Sequence, residues 1–97
     1  MTEAIYYILL SLRRPNHGYG IIQEVSDMTG GRVTLGPGTL YGAINTLLDK
    51  GWIVLVRADI DSRKKKEYII TDKGRAAFAA EQKRLAELLE NGRKMED

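Results

Sequence analysis

The chain has 97 residues, 43% hydrophobic and 29% charged, with a formal net charge of +2, one histidine and no cysteine. That length makes one small domain. The missing cysteines exclude disulfide frameworks, thiol nucleophiles and cysteine metal sites, and one histidine makes no zinc set. A charge of +2 excludes a general coater of nucleic acid, so a basic contact surface has to be local.

Thr2 is placed to cap a first helix, with Glu3 suited to its dipole. Ile5, Ile8, Leu9 and Leu12 share one helical face. Tyr6, Tyr7 and Leu10 spread the apolar surface wider than one core face needs. Residues 5–12 are too short to span a bilayer, and Arg13 and Arg14 follow them, the reverse of a signal peptide. A reducing cytoplasm is the expected location, with no membrane partner. Pro15 ends the helix, because the residue before a proline avoids the α region.

His17-Gly18-Tyr19-Gly20 starts a second helix. His17 reads as a cap or a surface residue. Tyr19 reads equally as a phosphate contact or a core aromatic. Ile21, Ile22, Val25 and Met28 form the buried face, and Thr29-Gly30-Gly31 stops the helix. The alternating residues 32–35 suit a small strand.

Pro37 fits the first turn of a third helix. Leu40, Ile44, Leu47 and Leu48 point inward. The opposite face carries Gly38, Gly42, Asn45 and Asp49, flanked by Thr39, Tyr41 and Thr46. It is small and polar, as a helix lying against a polar ligand should be. Gly51 is placed to end this helix. Residues 52–56 read as a strand whose Trp52 belongs to the core, residues 59–62 as a turn, and residues 67–70 as a second strand. The run Arg63-Lys64-Lys65-Lys66 sits between them. Thr71 caps a last helix carrying Phe78, Leu85, Leu88 and Leu89. It runs to about Asn91 or a little further, about 30 Å at the helical rise.

A short helix followed by a hairpin with cations at its tip holds duplex DNA in a winged helix. Thr39, Tyr41, Asn45 and Thr46 offer hydroxyls and an amide to base edges. Gly38 and Gly42 let the backbone approach closely, and the helix N-terminus can receive a phosphate. Arg63, Lys64, Lys65 and Lys66 form a wing tip for backbone phosphates. Taken singly, the helix face and the basic run are ordinary solvated features. Their succession favours DNA. The apolar excess on Ile5, Tyr6 and Leu10 of the first helix, and on Phe78, Leu85, Leu88 and Leu89 of the last, points to a homodimer seam. Packing within one chain is the alternative. No catalytic, cofactor or metal motif is present, so no enzyme is expected.

The chain closely resembles the PadR family of winged-helix transcriptional regulators. The resemblance rests on His17-Gly18-Tyr19-Gly20-Ile21, on Gly38-Thr39-Leu40-Tyr41 with Leu47 and Lys50-Gly51-Trp52-Ile53, and on Lys66-Glu67-Tyr68 followed by Thr71-Asp72-Lys73-Gly74-Arg75. It implies an α+β winged helix-turn-helix in residues 1–71 and a long C-terminal dimerisation helix and tail in residues 72–97, forming one compact domain overall. It further implies a homodimeric repressor on a pseudo-palindromic operator, relieved by a small hydrophobic effector. Thr39, Tyr41 and residues near Asn45 would read the major groove, with Tyr19 and the wing lysines on phosphates. A winged-helix protein-interaction module without DNA binding is the alternative.

Overall fold

The Thr2 hydroxyl accepts a hydrogen bond from the Ile5 amide at 3.1 Å and opens α1 (Glu3–Ser11) in a computed structural model that describes residues 1–58 and 66–96. The chain then forms β1 (Asn16–His17), α2 (Gly18–Met28), α3 (Pro37–Asp49), β2 (Ile53–Ala58), β3 (Lys66–Ile70) and α4 (Asp72–Arg93), with a 3-10 turn at Lys94–Glu96. The fold is α+β. Its antiparallel sheet has the order β1-β3-β2.

The core follows the apolar spacing. Ile8 and Leu9 of α1, with Leu12 directly after it, meet Ile21 and Val25 of α2, and Leu40, Ile44 and Leu47 of α3. Ile53, Tyr68 and Ile70 close it from the sheet. Trp52 packs against this core, with the Lys50 ammonium 4.9 Å from its ring centre. Met28, expected inside, is 39% exposed, because it lies in the last turn of α2, beyond the helices that cover Ile21 and Val25.

The strand expected at residues 32–35 does not form. Gly30, at φ 60°, and Gly31, at φ 81°, turn the chain out of α2. It then carries Leu35 into the core at 5% exposure without pairing. The third strand is instead Asn16–His17, which takes the free edge of β3 with Asn16 opposite Tyr68.

Gly51 ends α3 at φ 72°, a left-handed conformation that costs glycine little. Its amide bonds to the Leu48 carbonyl and the Trp52 amide to the Leu47 carbonyl, both at 3.0 Å, which satisfies the helix end. The Thr71 hydroxyl then serves two elements. It donates to the Gly51 carbonyl at 2.7 Å and accepts from the Gly74 amide at 3.0 Å, tying α4 to the end of α3.

α4 leaves the core halfway along. Every residue from 82 to 96 is exposed. Tyr6 and Phe78 stack within the chain at 4.5 Å between ring centres, whereas Leu85, Leu88 and Leu89 are 41%, 55% and 59% exposed. At the departure point Glu81 is 8% exposed. Its carboxylate accepts from Arg84 Nε at 2.6 Å and Nη2 at 2.8 Å, and lies 3.4 Å from the Met1 ammonium. The Arg84 hydrogen bonds, helped by its charge and that of Met1, hold the Glu81 pKa down to about 2 from an ordinary 4.5. Because the folded value is depressed, this carboxylate stabilises the fold fully above its ordinary value, and the contribution is lost as pH falls through about 2. Glu81→Gln is therefore expected to flatten the fall in melting temperature between about pH 5 and pH 2. An acid profile identical to wild type would show that Glu81 adds nothing.

Candidate nucleic-acid interface

Burial of Leu40, Ile44 and Leu47 fixes the rotation of α3. The same rotation leaves Gly38, Thr39, Tyr41, Gly42, Asn45 and Thr46 exposed together on its outer side. This gives one continuous face bearing two hydroxyls, a phenol and an amide. The Thr46 hydroxyl donates to the Gly42 carbonyl at 3.1 Å, so its oxygen keeps acceptor capacity for an outside donor. A Cβ added to Gly38 or Gly42 would meet nothing within 4 Å. The chain's own packing thus gives no reason for either glycine. Gly42, in the helix interior, weakens α3 by roughly 1 kcal/mol relative to alanine.

α2 begins beside this face. His17 caps it, its Nδ1 accepting from the Gly20 amide at 3.3 Å. Tyr19 projects to solvent at 76% exposure, which removes the core reading of that residue. The glycines around it have separate reasons. A Cβ on Gly20 would lie 2.0 Å from Asn16 Oδ1, and a Cβ on Gly18 would lie 2.6 Å from the Tyr41 hydroxyl oxygen. Asn16 is the hub of this corner. It accepts from the His17 amide at 2.9 Å and donates to Glu24 at 3.1 Å, and Glu24 also takes Arg13 at 2.8 Å.

The third part of the site is the β2–β3 hairpin. Lys66, at the start of β3, is exposed, while Arg63, Lys64 and Lys65 lie outside the described residues. The pairing shifts register between Leu55 and Arg57, leaving Val56 as an extra residue that increases the twist of the strand. Arg57 follows this bulge, exposed and opposite Glu67. Sequence reasoning missed it, because a bulge breaks the alternation that assigns strand residues to faces.

The expected dimer residues divide by burial. Ile5, Tyr6, Leu10 and Phe78 are half-buried against their own chain, and Leu85, Leu88 and Leu89 project beyond it. Among the described residues no cluster of acids and histidine is placed to hold a metal ion, and no helix is long and apolar enough to cross a membrane.

Comparison with known proteins gives a consistent pattern. A family model, the transcriptional regulator PadR-like family, matches residues 7–80. No curated protein matches in sequence. Among solved structures, a PadR family transcriptional regulator from Eggerthella lenta superposes with a TM-score of 0.82 at 22% identity, covering 96% of this chain and 80% of that one. A PadR-like transcription factor from Bacteroides fragilis gives 0.76 at 22% identity, covering 95% and 87%. A transcriptional regulator from Clostridium thermocellum gives 0.71 at 22% identity, covering 96% and 87%. At these identities the structures speak for the winged-helix fold.

Proposed function

Because the chain belongs to the PadR-like family of transcriptional regulators, we propose that it is a sequence-specific, homodimeric repressor of double-stranded DNA that acts in the cytoplasm and has no catalytic role. The observation that carries this reading is the outer face of α3. It combines hydroxyl and amide groups with two glycines that the fold does not need. A helix laid in the major groove uses such a surface, with backbone close to the duplex and short polar side chains at base edges. Thr39, Asn45 and Thr46 are the proposed readers. Tyr19 and the wing cations, Lys66 with residues 63–65, are the proposed phosphate contacts.

In this reading residues 1–71 bind DNA, and the helix and tail of residues 72–97 make the dimer. Support comes from the stripe of Leu85, Leu88 and Leu89 on a helix that has left its own core. A two-fold dimer places its two readers on half-sites about 34 Å apart, so the operator is pseudo-palindromic. A small hydrophobic effector that changes the dimer geometry alters that spacing and releases the operator.

Two sets of substitutions test the division of labour. Replacing Lys64, Lys65 and Lys66 with alanine is expected to weaken binding to all duplexes and to flatten the salt dependence by about 0.9 per lost phosphate contact. Asn45→Ala is expected instead to lower the preference for operator over random DNA, by roughly tenfold. Binding isotherms across a salt series read both. An unchanged salt slope removes the wing from the interface. An equal loss on operator and random DNA by Asn45→Ala makes that residue an anchor, not a reader.

A further inference from the structure

Tyr41 is the one large side chain on the otherwise small outer side of α3, and it is only 48% exposed. Its polar end is turned back onto the protein. A Cβ built on Gly18, the first residue of α2, would lie 2.6 Å from the Tyr41 hydroxyl oxygen and 3.2 Å from its Cζ. The same Cβ would lie 3.5 Å from Leu40 Cδ2. The ring therefore lies on bare backbone that any side chain would occupy. Tyr68 of β3 lies close enough for the two phenols to feel each other's charge. Its phenol is pushed above its ordinary pKa, first by burial and then by the nearby Tyr41. Tyr68 in turn stands opposite Asn16, whose side chain accepts from the His17 amide next to α2. From its place on α3, the end of the Tyr41 side chain thus meets the start of α2.

We propose that Tyr41 is a positioning residue: seated on the backbone of Gly18, its ring sets the angle at which α3 is held against α2, and its hydroxyl reads no base. This role rests on the reading that α3 faces DNA. The hydroxyl is the only group on Tyr41 that can hydrogen-bond a base edge, and the contact with Gly18 directs it inward. The same geometry gives Gly18 its purpose. Its missing side chain is the seat of the ring, so a methyl group there shifts the ring and with it the tilt of α3. The atom that has to move is the far end of a side chain, so Gly18→Ala is expected to fold.

The test compares wild type, Gly18→Ala, Tyr41→Phe and the double variant. Each is melted, and each is titrated onto a duplex selected by the wild-type protein from a random pool and onto a scrambled duplex. Tyr41→Phe keeps the ring and is expected to hold the operator preference within about threefold of wild type. Gly18→Ala is expected to lose about tenfold, and the double variant, without the clashing oxygen, to regain most of it. Gly18→Ala should also lower the melting temperature in the wild-type background and lower it much less in the Tyr41→Phe background, where the oxygen at 2.6 Å is gone. A loss of preference by Tyr41→Phe as deep as that of Gly18→Ala overturns the proposal, because the hydroxyl would then be reading DNA. Independent effects of the two substitutions on melting overturn the contact itself. If wild type selects no duplex, the DNA reading fails and the positioning role fails with it, while the melting data still decide whether the two residues are coupled.

Discussion

Gly74→Ala is expected to lower the melting temperature by roughly 12–24 °C, the equivalent of about 3 kcal/mol in a domain of this size. The added Cβ would lie 2.1 Å from the Trp52 carbonyl oxygen, 2.9 Å from the carbonyl carbon and 2.8 Å from Ile70 Cγ1. Two of these atoms are backbone, and they are not free to move. The Trp52 carbonyl accepts from the Thr71 amide at 2.9 Å, directly before α4 begins. Relief therefore requires the first turn of α4 to lift off the base of the wing, breaking the Thr71 contacts that join it to α3. Thermal unfolding followed by circular dichroism reads the effect. A melting temperature within about 3 °C of wild type, on the scale of a fraction of a kcal/mol, would mean that α4 does not dock as described.

Gly42→Glu is expected to do the opposite to the fold and far more to function. Position 42 lies inside α3 with open space around it, so a glutamate gains about 0.6 kcal/mol of helix propensity and raises the melting temperature by a few degrees. The same carboxylate stands on the face proposed to meet phosphates and base edges. Like charges brought together at an interface cost several kcal/mol, so affinity for the operator should fall by at least about a hundredfold. A more stable protein that no longer binds separates function from folding in one variant. Retained affinity would show that this face of α3 points away from DNA.

Gly42 and Gly74 also mark where sequence reading succeeds and where it stops. Both stand in helices and both are plain glycines in the chain. One faces empty space and the other faces a carbonyl, and that difference depends on how α4 meets the wing. What the sequence discloses well is local. Thr2, His17 and Thr71 cap their helices, Gly51 stops α3, and the apolar spacing of α3 defines its buried and outer faces before any packing is known. Non-local features escape. Asn16–His17 is too short for any periodicity, and it is a strand only because β3 offers an edge. Residues 32–35, with the β-branched Val33 and Thr34, have strand character and no partner, so burial of Leu35 prevails over propensity. The fit of Tyr41 on Gly18 and the stacking of Tyr6 on Phe78 join residues far apart in the chain. The Val56 bulge hides Arg57 for the same reason, since its cause lies in the pairing of two strands.

The proposed function requires α3 and the wing to hold a specific duplex. Fluorescence anisotropy of the purified protein, on DNA spanning its own promoter and on a scrambled duplex across a salt series, tests it most directly. Tight, salt-dependent binding with a clear preference for the promoter is the expected result. Failure to bind either duplex at low salt, by a protein shown to be folded, would contradict it and leave the exposed leucines of α4 as the surface of a protein-interaction module.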